Sequence, residues 1–344
     1  MSEKKRTEIA ELGEFGLINH LTKDFTTSNK NTLRGVGDDA AVIKAGRDDA
    51  MVVTTDSLLE GVDFDLTYFP LKHLGYKAVT VGVSDVLAMN AMPEQVMISL
   101  GVSSKLPVEA LEDLYEGIKF ACDEMGVDMV GGDTTASMTG LVINITTIGR
   151  AKRKAISYRS GAQFNDLICI TGNLGAAYMG LHLLEREKRV LRDVQNPEPQ
   201  FAGYEYLLQS YLKPRARKDI VEALAAEGIV PTSMIDLSDG LASEVLQICK
   251  ASKCGARIYL DRIPIAKQTT ALAEEMHIDP VVAALNGGND YELMFTVPLA
   301  MQEQIMSMGM VDIIGHITRE STGAYLVTPD GSDIKLRAQG FKEE

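Results

Sequence analysis

The chain has 344 residues, 45% hydrophobic and 24% charged, a globular composition with enough length for two domains that each bury a core. A formal net charge of −14 excludes a surface built for nucleic acid, but not a site for small phosphorylated molecules whose charge metal ions shield. Cys122, Cys169, Cys249 and Cys254 form no CxxC pair and read as reduced packing residues, and no run is apolar enough to span a bilayer or serve as a signal peptide, so a cytoplasmic enzyme or binding protein is expected.

Glu8 to His20 is predicted as a short amphipathic helix, with Ile9, Leu12, Leu17 and Ile18 as its apolar positions. In RGVGDDAAVIK, Asp38 and Asp39 stand side by side where a strand begins; a Gly-Asp cluster ordinarily marks a solvated turn. The runs AAVI and MVVTTDSL read as strands joined by AGRDDA. HLGYKAVTVGVSDVLAMNAM reads as a helix that ends before Pro93, and QVMISLGVS as a strand. LPVEALEDLYEGIKFACDEMG follows as a helix with Leu111, Leu114, Tyr115 and Ile118 along one face. VDMVGGD and GLVINITTIGRA return to strand. Near Ala151 the texture turns basic and then polar, and the domain boundary is placed there, giving residues 1–152 and 153–344. Beyond it come strand LICITG, a helix from Gly175 to Glu187, the loop VQNPEPQ, a helix at DIVEALAAEG, the segment MIDLSDG, helix LASEVLQICKAS and strand ARIYL. Alternation of this kind predicts an α/β or α+β fold.

Carboxylates collect at the junctions between these elements. TTDSLLEG offers Thr54, Thr55 and Asp56 at the end of a strand; SDVLAM offers Asp85, VGGDTT Asp133, and MIDLSDG Asp236, Ser238 and Asp239. Helical spacing gives Asp85 the neighbours Val81, Ala88 and Met89, so it lies on or beside an apolar stripe. A lone buried carboxylate takes up a proton or needs a cation, unless Ser84 and a backbone amide satisfy it. Carboxylates and hydroxyls with no His or Cys nearby favour magnesium, in more than one ion and bridging to substrate phosphates. EF-hand spacing, a GxxxxGK[ST] loop and the protein-kinase motifs are all missing from the sequence. GNLGAAYMG (residues 172–180) opens a helix after a strand; phosphate contact and plain tight packing both remain open for it.

GEFGLI, GVGDDAAV, TTDSLLEGVDF, YKAVTVGVSDVLAMNAMP, GGDTT, YRSGAQFNDLICITGNLGAA, MIDLSDGL and GGNDYELMF occur in that order. Together they resemble the thiamine-monophosphate kinase family, within the superfamily that includes aminoimidazole ribonucleotide synthase, from Gly13 to about Phe341. The resemblance implies an N-terminal α/β domain that binds ATP and magnesium and dimerises through its sheet, and a C-terminal α+β domain that completes the cleft. It implies transfer of the γ-phosphoryl group of ATP to thiamine monophosphate by a homodimer. By motif, Asp39, Thr54, Thr55, Asp56, Asp85, Asp133 and Asp236 would be magnesium ligands, and Asp239 would hold a further ion. Tyr115, Gly132, Asp133, Arg159 and Ser238 match nucleotide-contacting positions, and Asp63, Asn289 and Phe341 match the acceptor side. Asp63 stands where relatives commonly have His, Asn289 where they have Glu, and Ala338 where an aromatic is usual.

Charge dictates the expected chemistry. ATP and a phosphorylated acceptor meet in an acidic protein only with cations between them, and the transfer needs positioning more than a protein nucleophile. Direct in-line transfer without a phosphoenzyme is therefore expected. The alternatives are another ATP-using member of the superfamily and a non-catalytic magnesium–nucleotide sensor. No early cysteine and no C-terminal cysteine is present to support the selenophosphate synthetase or hydrogenase-maturation variants.

Overall fold

The computed structural model describes residues 9–192 and 199–338. The first half runs α1 (Gly13–Thr22), β1 (Thr32–Arg34), β2 (Ala41–Lys44), β3 (Asp49–Leu59), α2 (Leu71–Ala88), β4 (Met92–Val102), α3 (Val108–Met125), β5 (Asp128–Ala136) and β6 (Val142–Lys152). Its sheet has the order β1-β2-β3-β6-β4-β5, antiparallel except for the parallel pair β4–β5. The second half runs β7 (Leu167–Thr171), α4 (Ala176–Leu191), α5 (Glu205–Leu212), α6 (Lys218–Ala226), β8 (Ser233–Asp236), α7 (Leu241–Ser252), β9 (Cys254–Tyr259), α8 (Lys267–Glu275), α9 (Pro280–Asn286), β10 (Leu293–Val297), α10 (Gln302–Ser307), β11 (Val311–Arg319), β12 (Ala324–Val327) and β13 (Asp333–Lys335). Its sheet has the order β13-β12-β9-β11-β7-β10-β8, with β12–β9 the parallel pair. The expected mixed α/β and α+β character is what the chain adopts.

Alternation along β3 decides what reaches the interior. Ala50, Val52 and Thr54 are buried on one face, while Thr55, Ser57 and Leu59 are exposed on the other. Against the inner face lies α2, which is buried on nearly every side, from Leu74 to Ala88. Its crossing with α3 is close because two glycines face each other's backbone. A Cβ at Gly75 would stand 2.0 Å from the Leu114 carbonyl oxygen, and one at Gly117 would stand 1.8 Å from that of Lys72. On its other side α2 meets the second half, and one continuous apolar core contains Val79, Val83 and Ile118 together with Leu167, Tyr211, Ile220 and Phe295. The separate core expected for each half is thus only partly realised: a second cluster around Ile170, Ile235, Val245 and Ile258 belongs to the C-terminal half alone, and a third around Val42, Val52, Val86 and Met89 lies in the N-terminal half with Ile156 of the linker.

Several boundaries differ from the sequence reading. α1 begins at Gly13, after a 3-10 turn at Ile9–Glu11, and buries none of its described residues. α2 ends at Ala88 rather than just before Pro93. Asn90 turns the chain with φ 52°, and Pro93 is accommodated inside β4 at an irregularity in its pairing with β6. Tyr115 is 36% exposed, because the inward stripe of α3 is Leu114, Ile118, Ala121, Cys122 and Met125. α5 has no counterpart among the predicted elements, and most of VQNPEPQ lies outside the described residues. Among the described residues no helix is long and apolar enough to cross a membrane.

Candidate active site

Four carboxylates from four elements converge between the halves. Asp39 comes from the turn before β2, Asp56 from the inner face of β3, Asp85 from α2 and Asp236 from the end of β8. One oxygen each of Asp39, Asp85 and Asp236 lies within 4.8 Å of the others. Hydroxyls fix two of the four: Thr54 Oγ1 donates to Asp85 Oδ2, and Ser84 Oγ donates to Asp236 Oδ2 at 2.6 Å, across the two halves. Arg159 grips Asp39 side-on through one edge of its guanidinium, Nη2 donating to Oδ1 at 2.7 Å and Nε to Oδ2 at 3.2 Å. Asp56 Oδ2 is buried and has no hydrogen-bond partner among the described residues.

One guanidinium does not balance four carboxylates. Burial, then the charge of Asp39, lifts Asp56 to about 6 and Asp236 to about 7. Asp85 is raised well above the ordinary carboxylate range by burial and then by Asp56, Asp236 and Asp39. A set of hard oxygen donors, crowded, desolvated and with one oxygen orphaned, fits divalent magnesium and is poorly suited to zinc or copper.

The neighbouring aspartates Asp38 and Asp39 have different duties. Asp38 Oδ1 accepts the Arg159 amide at 2.7 Å, and Oδ2 accepts Nε of Arg34. It ties the turn to the linker after β6, leaving Asp39 to face the cluster. Burial raises the Asp38 carboxyl even so, against the lowering by the Arg159 amide and by Arg34.

Other expected positions stand apart. The two-residue period of β3 puts Thr55 on the outer face, where Thr146 Oγ1 donates to its hydroxyl at 3.2 Å. Its side chain is therefore not among the gathered oxygens. Gly132 and Asp133 lie on the edge strand β5 and are exposed in this chain. The register Asp133–Ser99–Asn144–Ser57 sets Asp133 three strands away from β3, about 14 Å. Gly132 approaches β4 so closely that a Cβ would stand 1.9 Å from the Ile98 carbonyl oxygen. Tyr115 is half-exposed on α3. Ser238 and Asp239 turn the chain out of β8; the Ser238 carbonyl accepts the Asn289 amide at 2.7 Å, which sets Asn289 beside it. Asp63 lies in the turn after β3, its Oδ2 accepting the Leu59 amide at 2.8 Å. Phe341 lies outside the described residues.

The glycine-rich turn GNLGAA resolves toward packing. Asp290 Oδ2 accepts the Gly175 amide at 3.0 Å at the head of α4, so an internal carboxylate occupies the place a phosphate would take. Burial pushes the Asp290 carboxyl to about 8, against the lowering effect of the Gly175 amide.

Three residues at or near the site escaped the sequence reading. Glu244 on α7 is buried, and its Oε1 accepts the Asp239 amide at 3.0 Å; an acidic residue in the first turn of a helix was its available signal. Tyr291, buried with φ 51°, donates from its hydroxyl to Asn289 Oδ1 at 3.3 Å. Lys77 is buried on α2, and nothing in the spacing of an apolar helix distinguishes it.

Residues 37–151 match the family model described as AIR synthase related protein, N-terminal domain, and residues 165–327 match the corresponding C-terminal domain. The chain is 34% identical over 340 residues to the thiamine-monophosphate kinase of Buchnera aphidicola subsp. Schizaphis graminum, covering 96% of this chain and 98% of the relative. It is 32% identical to that of Escherichia coli K12, covering 96% and 97%. A solved structure described as AaThiL complexed with AMPPCP and TMP superposes with a TM-score of 0.80 at 31% identity, covering 97% of both chains. The thiamine-monophosphate kinase of Stenotrophomonas maltophilia K279a superposes with a TM-score of 0.73 at 28% identity, covering 94% and 98%.

Proposed function

The chain belongs to the thiamine-monophosphate kinase family, and on that premise we propose that it transfers the γ-phosphoryl group of ATP to thiamine monophosphate, giving thiamine diphosphate. The carrying observation is the convergence of Asp39, Asp85 and Asp236 within 4.8 Å, with a buried orphan oxygen on Asp56 beside them. Such a cluster is stable as a charged set only around divalent cations.

Asp39, Asp56, Asp85 and Asp236, with Thr54 behind Asp85, would hold magnesium. Asp133 and Asp239 would serve further ions nearer the nucleotide. Magnesium, when bound, would supply the positive charge that neutralises the phosphates. The chain's own groups do the positioning: Thr54 and Ser84 orient Asp85 and Asp236, and Arg159 fixes Asp39. Tyr115, Gly132, Asp133, Arg159 and Ser238 would form the nucleotide side, while Asp63, Asn289 and Phe341, the last outside the described residues, would form the acceptor side. The acceptor phosphate is already ionised near neutral pH, so no side chain has to remove a proton from it. The reaction is then a direct in-line transfer with no phosphoenzyme.

A homodimer accounts for the edge strand β5, which is exposed along its whole length and carries exposed Met129 and Val130. A second copy covering that edge would also bury Gly132 and Asp133.

Incubation with ATP, magnesium and thiamine monophosphate tests the reading, with thiamine diphosphate as the expected product. Nucleotide binding without product would replace it with a magnesium–nucleotide sensor. Phosphate trapped on the protein in a rapid-quench experiment would overturn direct transfer.

A further inference from the structure

α2 buries a second charged side chain, away from the carboxylates. Lys77 is only 1% exposed, and its Nζ has no hydrogen-bond partner among the described residues. The ammonium lies 4.2 Å from the ring centroid of Tyr211 and 5.6 Å from that of Phe69. Those rings are 5.5 Å apart and tilted by 57°, and Phe64 packs edge-on against Phe69. Ring faces attract a cation, but they do not satisfy three N–H donors as oxygens do. A leucine or methionine would fill this space without the desolvation cost of an ammonium. The charge therefore calls for a partner that the packing alone does not supply.

One carboxylate bears on it. Asp63, in the turn that follows β3, opposes the effect of burial, which pushes the Lys77 amine down to about 7. The same aromatic pocket is tied to that turn by a direct bond, the Tyr211 hydroxyl donating to the Asp63 carbonyl at 3.4 Å. The turn is otherwise short and local: the Gly61 amide donates to the Phe64 carbonyl at 2.8 Å, and Val62 at its tip is 80% exposed. Lys77 and Tyr211 come from α2 and α5, so the pocket also joins the two halves behind the turn.

We propose that Lys77 is a positioning residue for the phosphoryl acceptor: acting through Asp63 and Tyr211, it holds the turn at residues 60–64 in the conformation that receives thiamine monophosphate. This rests on the reading of Asp63 as an acceptor-side residue. Lys77 itself does not touch the reacting atoms. Its charge acts on the Asp63 carboxylate, which the Leu59 amide also holds, and Tyr211 anchors the same residue from behind.

The test is a double-mutant cycle with Lys77→Met and Asp63→Asn, read by titration calorimetry with thiamine monophosphate, steady-state kinetics and thermal unfolding. Lys77→Met should unfold at the same temperature as the wild type or higher, because an apolar chain of similar size replaces an unpaired buried charge. Its dissociation constant and KM for the acceptor should rise about tenfold or more, with kcat and nucleotide affinity changed by no more than about twofold. Asp63→Asn should weaken acceptor binding similarly, and the double variant should be no worse than the worse single one. Unchanged acceptor affinity in Lys77→Met, or losses that simply multiply in the double variant, would overturn the proposal. If Lys77→Met fails to fold, Tyr211→Phe carries the test, since it removes only the hydroxyl bond to Asp63; a wild-type acceptor affinity there is equally fatal. A wild-type chain that neither binds nor phosphorylates thiamine monophosphate overturns the functional reading and this inference together, whereas a competent wild type with indifferent variants overturns this inference alone.

Discussion

Two stretches of α2 bury charge in opposite ways. At Ser84–Asp85 the helix faces an excess of carboxylates served by one guanidinium; two turns earlier, about 12 Å along the axis, Lys77 lies against ring faces with no hydrogen-bond partner for its Nζ among the described residues. Joining the two by a salt bridge would have been the simplest electrostatic solution, and the helix keeps them apart. At the carboxylate end, hydroxyls from Thr54 and Ser84 tune individual oxygens while the overall charge stays unbalanced. At the lysine end, among the described residues, there is no such tuning, only ring faces and the opposing charge of Asp63. The contrast separates a site that needs an added cation from one that uses a cation already in the chain.

The largest break in this comparison comes from Asp56. Asp56→Asn keeps the shape and removes the charge behind the orphan oxygen, so kcat should fall about a hundredfold or more and magnesium-dependent nucleotide binding should weaken with it. Intact activity would mean that the two ends of α2 do not differ as argued. Next comes Arg159→Met, which strands Asp39 in a buried setting and should cost about 3 kcal/mol in metal-free denaturant unfolding. Saturating magnesium should recover much of that loss, whereas Lys77→Met should gain from magnesium no more than the wild type does.

A smaller effect sharpens the same contrast through pH. Asp56 and Asp236 have folded pKa values of about 6 and about 7, above the unfolded carboxylate value. Between about pH 4 and these values the folded chain holds more protons than the unfolded one, so metal-free stability falls as pH rises through that window. In EDTA the melting temperature should be higher at about pH 5 than at about pH 8, and magnesium should close the gap at the upper end. A flat profile in EDTA would refute the electrostatic crowding. Smallest of all, Ser84→Ala deletes one hydroxyl bond to Asp236 and should cost about 1 kcal/mol in unfolding experiments, with a modest rise in the magnesium needed for half-maximal activity.

Asp39 and Asp236 were legible because each sits where a strand meets a turn, whereas Asp56 lies inside β3 and Asp85 inside α2, and their polar neighbours Thr54 and Ser84 in otherwise apolar runs were the signal. Thr55 illustrates the limit of that logic: adjacency to Thr54 and Asp56 placed it in the set, and the alternation of a strand takes its hydroxyl to the other face. The fold class was equally readable from alternating periodicities. What escaped depends on distant partners. Asp290 reaches Gly175 across 115 positions and turns a phosphate-like loop into a packed one. Lys77 is buried partly because α5, an element the pattern did not reveal, lays Tyr211 over it. Tyr115 fell on the wrong side of α3 because the stripe that packs inward begins one residue earlier. Local spacing reports which residues share a face; it does not report what covers that face.

The apolar cluster that runs from Val79 and Ile118 into Tyr211 and Phe295 constrains how the molecule can be taken apart. Neither half expressed alone would have a finished interior, and each would present the stripped surface of α2 or the uncovered side of its own sheet to solvent. Calorimetry should accordingly record a single melting event rather than two, and exchanging one half with that of a distant relative should fail unless the residues along this shared seam travel with it. Entry of the nucleotide must then rely on loops and side chains at the rim, since a hinge opening wide between the halves would tear the interior itself.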